Sequence, residues 1–231
     1  MPRVASGLFI GLIAWMGLSS PPARAQLSTI EGGLRVDAVQ IVVGGLAPGP
    51  SVIMILQSDV ELRARLSLLR GAGEAAALGP LSVELLRATQ QELLGEALIA
   101  SEASRLALAA PTREAEQRER QRFVNGAGGR DVLWALLNKL GVTPRELDAI
   151  IARRVVVSEF LDANLAGTSE LSASELQRAY DAGDHPFGDR PFGEVREALR
   201  GYLAQRALQE AVGRWVDGLK QRVPFRVLVA Y

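Results

Sequence analysis

The chain has 231 residues, with 26 basic and 26 acidic side chains, one histidine and no cysteine. Without thiols it has no disulfides, no thiolate metal sites, no cysteine nucleophile and no lipid-modified N-terminal cysteine. The balanced charge argues against nucleic acid as the main partner, which needs a basic patch or stripe.

The opening residues read as a cleavable secretory leader. Met1-Pro2-Arg3 is basic, Val4 to Leu18 is apolar, and Ser19-Ser20-Pro21-Pro22 breaks a helix. Ala23-Arg24-Ala25 then puts small residues at positions −3 and −1 before Gln26, the pattern a signal peptidase reads. The apolar run is shorter than the about 20 residues a membrane span needs. The expectation is a leader over 1–25, cleaved after Ala25, and a mature chain that works in the periplasm without spanning the membrane. That chain is still long enough to bury one sizeable core.

Val36 to Val43 is rich in β-branched residues and reads as a strand. Gly44 to Pro50 is a turn region, and Val52 to Leu56 a second strand, which together make an antiparallel hairpin. A lone hairpin is marginal and needs a third strand or a covering helix. Ser58-Asp59-Val60-Glu61 has the spacing of a capping box and opens a helix to about Leu69. Gly71 to Pro80 reads as a loop of small residues. Ser82 to Leu108 is a long helical pattern that Pro111 ends.

Thr112 to Phe123 is highly charged and reads as a solvated helix with i,i+4 pairs such as Glu114–Arg118 and Glu116–Arg120. A glycine loop over Asn125 to Gly129 leads to a helix from Asp131 to Leu140. Thr143-Pro144-Arg145-Glu146 joins a capping box to proline at the first helical position. Its helix continues to about Leu165, because Leu147, Ile150, Ile151, Phe160 and Leu161 hold the helical period on both sides of Val155-Val156-Val157. Ser172-Ala173-Ser174-Glu175 is another capping box, for a short helix to about Asp181.

A loop follows, then a long helix over Phe192 to Gln221 with Trp215 on its core face, then a strand over Val223 to Val229. Pro224 suits the start or the edge of a strand. This last strand is expected to pair with the N-terminal hairpin and supply its missing neighbour. The fold class is therefore mainly α: a helical domain with a small antiparallel sheet formed by the N-terminal hairpin and the C-terminal strand.

The order of these elements resembles the SurA-like periplasmic chaperones. The strand Val36 to Val43, the short apolar strand and Ser58-Asp59-Val60 resemble that family's opening. Ile150 to Phe160 is similar to its "I…R..I.SEF" helix, Leu171 to Tyr180 to its next helix, and Phe192-Gly193-Glu194-Val195 onward to its closing helix. The resemblance implies a single SurA-N-like chaperone domain over 26–231, with an N-terminal core over 36–182 and a closing helix and strand over 191–230. In the family a parvulin prolyl-isomerase domain usually follows the short helix. Here a connection of normal loop length stands in its place, and the family's turn between the first two strands is replaced by Gly44 to Pro50.

Little local chemistry appears. The lone His185 has neither cysteine nor a second histidine with which to build a common zinc site. Asp181, Asp184 and Asp189 around it do not have EF-hand spacing. Gly126-Ala127-Gly128-Gly129 lacks the Lys-Ser/Thr of a phosphate loop, and no Gly-x-Ser-x-Gly elbow occurs. No catalytic residue, cofactor or metal is expected.

What remains is apolar surface. The expected function is a holding chaperone for unfolded or partly folded exported polypeptides, outer-membrane protein precursors among them. Phe123, Trp134 and Leu137, which flank the glycine loop, are the candidate client contacts. The plainer reading puts them in the core, where apolar positions on a helical stripe usually lie. Two alternatives stay open: a dedicated assembly partner of one cell-envelope protein, and a prolyl isomerase without the usual domain. Strand exchange into a homodimer is open to the final strand, which follows a long helix.

Overall fold

The structure is a computed structural model that describes residues 37–44, 52–106, 110–165, 171–188 and 190–231. The expected leader, residue 36 of the first strand, nearly all of the turn between the first two strands, and Asp189 lie outside them. The described chain is mainly helical. It runs β1 (Val39–Val43), β2 (Ile53–Leu56), α1 (Gln57–Leu78), α2 (Val83–Arg105), α3 (Arg113–Gly126), α4 (Arg130–Leu140), α5 (Pro144–Leu165), α6 (Ala173–Asp181), α7 (Phe192–Arg222) and β3 (Phe225–Val227).

The strands form one antiparallel sheet in the order β2-β1-β3, so the last strand does pair with the N-terminal hairpin. β1 is the central strand. A bulge between Val39 and Ile41 lets both Gln40 and Ile41 be buried, although strand alternation would send one of them to solvent. Gln40 then meets Gln90 of α2, whose Nε2 donates to Gln40 Oε1 at 2.8 Å and to the Val229 carbonyl at 2.7 Å.

By compactness the chain divides into two units. One comprises the described residues up to Ser158 together with Val223–Tyr231, and the other the described residues of Glu159–Arg222. In the first, α1, α3, α4 and the start of α5 enclose Leu66, Leu69, Phe123, Leu133, Leu136, Leu137, Leu147 and Ile151. Each such burial removes apolar surface worth about 1.5–3 kcal/mol from water. In the second unit, α6 packs on α7 and Leu176, Val195 and Leu199 are buried. Trp215 of α7 is half-buried and meets Phe160 edge to face, with ring centroids 5.3 Å apart.

The helix starts are set by local chemistry. Thr143 Oγ1 accepts from the Glu146 N–H at 3.3 Å while Glu146 Oε2 accepts from the Thr143 N–H at 2.6 Å. Ser172 and Glu175 repeat the arrangement at α6. α4 ends at Gly141 with φ 70°, where Val142 N–H reaches the Leu137 carbonyl and Gly141 N–H that of Asn138. That pairing is a Schellman stop, which needs the left-handed backbone glycine adopts freely.

Two expectations fail around α1. Ser58 does not cap the helix. Its hydroxyl and N–H both donate to the Asp37 carboxylate, and the helix starts two residues earlier, with Leu56 at the cap and Asp59 accepting from the Leu56 N–H at 2.9 Å. The segment 71–80 is not a simple loop either. The helix breaks at Gly73 (φ +82°) and resumes through the good helix formers Ala75, Ala76 and Ala77 to Leu78. Arg65 Nη1 donates to the carbonyls of Ala77 and Gly79, at 2.7 and 3.0 Å, and places positive charge at that helix end.

Charge is also buried, in one case within the run that reads as a solvated face. Arg63 of α1 is buried and grips Glu96 of α2 with two bonds, at 2.9 and 2.7 Å, and reaches Glu92 at 3.3 Å. Desolvation works against the Arg63 charge, but Glu96 and then Glu92 outweigh it and hold the guanidinium above its ordinary value. Glu119, within the charged run of α3, is buried too. It accepts from Arg154 of α5 at 2.6 Å and pairs with Arg122 at 2.9 Å. Arg154 in turn lies over the Phe123 ring, 5.6 Å from its centroid.

Removing one partner of such a pair leaves a buried charge uncompensated, at a cost of about 3–5 kcal/mol, whereas an apolar replacement of both is often near neutral. Urea denaturation should therefore show Arg63→Leu strongly destabilised, with much of the loss recovered in Arg63→Leu/Glu96→Leu. The cap at Thr143 gives a pH signature. Its hydrogen bonds hold the Glu146 carboxyl below the usual carboxylate range, first the backbone N–H and then the hydroxyl. A depressed folded-state value gives stability that is full above the unfolded value of about 4.3 and is lost as pH falls through the folded one. Glu146→Gln should lower the urea midpoint at pH 7, and the difference should shrink as the pH drops below about 4.

Candidate functional site

The three residues singled out from the sequence come together, but inside the protein. Phe123 and Leu137 belong to the buried cluster of the first unit, and Trp134 packs against it half-buried. The glycine loop joins α3 to α4 beside this core and does not spread them. The cation–π contact with Arg154 ties Phe123 into the Glu119 network.

His185 sits half-buried in the loop between α6 and α7, stacked on Tyr180 with centroids 5.2 Å apart. Its Nδ1 accepts from the Phe187 N–H at 3.3 Å and its Nε2 lies 3.2 Å from the Tyr180 carbonyl. Among the described residues no group of His, Asp and Glu is placed to hold a metal ion. No helix among them is long and apolar enough to cross a membrane. A small cleft of about 20 Å³ opens between α1, α2 and α5, lined by Asp59, Leu62, Arg63, Leu66, Leu93, Ile150 and Arg153. That is room for a water, not for an organic ligand.

The exposed apolar side chains lie elsewhere. The large hydrophobics exposed among the described residues are Met54, Leu78, Leu106, Val132, Val227, Leu228 and Val229, and four of these seven lie on the sheet or directly after β3. Leu228 and Met54 are the most open, at 56% and 55%. Isolated exposed hydrophobics are ordinary, whereas a contiguous group marks an interaction surface.

The hydrogen-bond phase of β3 completes this surface. Gly44 N–H donates to the Pro224 carbonyl at 2.8 Å, and Leu228 N–H donates to the Gln40 carbonyl at 2.7 Å. Bonded rungs of an antiparallel ladder alternate, so the rung between these two is Val42 with Arg226. Arg226 thus turns its backbone groups toward β1. Phe225 and Val227 turn theirs to the far side, where no strand among the described residues pairs with them. The side chains alternate the other way. Phe225 and Val227 share the face of Val43 and Ile41, which are fully buried. Arg226 shares the opposite, more open face with Val42 and Met54. The candidate site is this edge: free backbone groups, an apolar rim, and one exposed arginine.

No protein-family model matches the chain, and no curated protein matches it.

The placement of Leu137 separates a core role from a contact role. Truncating a fully buried leucine costs about 2–5 kcal/mol. Leu137→Ala should lower stability by that amount in urea titration, whereas a surface contact would leave the midpoint unchanged.

Proposed function

We propose that this protein is a holding chaperone of the periplasm, reached through the leader over 1–25, which binds unfolded exported polypeptides, outer-membrane β-barrel precursors among them. The observation that carries the reading is an open strand edge with exposed apolar side chains next to it: Val227, Leu228 and Val229 beside the free groups of Phe225 and Val227, with Met54 exposed on the other edge strand. Unfolded barrel precursors are strands in search of partners. They alternate apolar and polar residues, and their exposed edges pair between chains. A protein that offers a short edge with apolar side chains gives such segments a transient alternative, through main-chain hydrogen bonds and alternate side-chain contacts.

The order of motifs similar to SurA-like chaperones supports the same reading. The action needs no nucleotide, no cofactor and no covalent step. It binds the unfolded state and so lowers the concentration available to aggregate. A three-residue strand gives weak contact at any one site, so holding a long client takes several contacts at once.

The test is light scattering of an outer-membrane barrel diluted from urea, with and without an equimolar amount of the mature protein. We expect scattering to fall with the wild type and to return with Met54→Ser/Leu228→Ser. Both positions are exposed, so circular dichroism and the urea midpoint should not change. No suppression by the wild type would overturn the reading and direct attention to a single folded envelope partner, sought by co-purification.

A further inference from the structure

We infer that the free edge of β3 takes up an extended client segment antiparallel to it, and that Arg226 makes it select segments with an acidic residue between two apolar ones. The inference rests on the chaperone reading and names the segment that the same surface prefers. Its first support is the hydrogen-bond phase. The outward groups belong to Phe225 and Val227, so an added antiparallel strand bonds to these two residues. The residue between its two bonded positions then falls opposite Arg226 in a non-bonded pair, where Cα atoms approach to about 4.5 Å and side chains meet most closely.

The second support is charge. Arg226 is exposed and has no ion pair among the described residues. Its neighbours along the outer face of the sheet, Val42 and Met54, are apolar. A client carboxylate opposite Arg226 would be its counter-ion. The residues flanking that carboxylate point to the other face, beside Phe225 and Val227, where apolar side chains extend the covered side of the sheet. The matching pattern is therefore apolar, Asp or Glu, apolar.

The same geometry argues against a second copy of this chain as the occupant. Two β3 strands bonded edge to edge through Phe225 and Val227 place Arg226 directly opposite Arg226, and like charges in that position repel. A charged residue on an edge strand is a common guard against self-pairing. Here it also sets which foreign strand fits.

The experiment uses the full mature protein and fluorescein-labelled peptides, with affinity read by anisotropy. The pair Thr-Val-Glu-Val-Thr and Thr-Val-Lys-Val-Thr, extended by Ser-Gly at each end, differs only in the central charge. We expect the Glu peptide to bind about fivefold tighter at low salt, from the combined gain of an opposite pair and loss of a like one. The gap should narrow at high salt, since the site is exposed. Arg226→Glu should reverse the preference and Arg226→Gln should remove it. N-methylation of the two flanking valines should abolish binding, while methylation of the central residue should not.

Equal affinities for the two peptides, unchanged by Arg226→Glu, would overturn the role of Arg226. Binding that survives methylation of the flanking valines would overturn strand addition. If neither peptide binds but the wild type still suppresses aggregation, the edge is not the site and the chaperone reading stands without it. The aggregation assay thus keeps the failure of this inference distinct from the failure of the reading beneath it.

Discussion

A pair of buried amides holds the first unit together. Gln40 and Gln90 lie out of water, and a buried amide without a partner costs several kcal/mol. Each is satisfied only while β1, α2 and the segment after β3 stay in place, because the Gln90 amide nitrogen serves both Gln40 and the Val229 carbonyl. An apolar contact tolerates a shift of half an ångström. This one does not. The β1 bulge that turns Gln40 inward therefore sets the register of the sheet against α2. It also sets the phase of the β1–β3 ladder, since the Gln40 carbonyl accepts from Leu228 N–H. Which backbone groups of β3 remain free follows from that one residue.

Buried ion pairs act in the same way between helices. The Arg63–Glu96 fork joins α1 to α2, and Glu119–Arg154 joins α3 to α5. Apolar replacement at such sites is often as stable or more so, which makes directionality a better account of them than net stability. Leucine stripes on α1, α4 and α5 would allow neighbouring helices to slide by a turn. A two-bond fork between Arg63 and Glu96 allows a single alignment.

Features governed by neighbours in sequence were legible before the structure. The boxes at Thr143 and Ser172 mark their helices to within a residue, and the helical period carried the reading through Val155-Val156-Val157. The pairing of the last strand with the hairpin followed from the hairpin's need for a third strand. Features governed by distant residues were not legible. Ser58 has the spacing of a cap, but Asp37 captures it from another element. Glu119 looks like one solvated charge among many until α5 brings Arg154 to it. Phe123 and Leu137 carried a contact reading because a glycine loop lies near them, yet the helical stripe was the better guide and they are core. The open edge was hidden for a related reason. Val223 to Val229 reads as a strand, but which of its carbonyls point outward depends on a register fixed by a bulge far away in the chain.

The central position of β1 also bears on the order in which the chain folds. Its partners are residue 54 on one side and residue 226 on the other, so the sheet joins one very local pairing to one very distant pairing. Distant pairings carry the larger loop-closure cost and come late. A polypeptide that emerges residue by residue, from a ribosome or a translocation channel, makes the hairpin early and then exposes the flank of β1 until residues 225–228 follow. During that interval the nascent chain has an open strand edge at β1, with buried-type residues such as Ile41 and Val43 uncovered, whereas among the described residues the finished sheet has open edges at its outer strands, β2 and β3. The growing chain is for a time a more exposed version of the unfolded strands proposed as its clients.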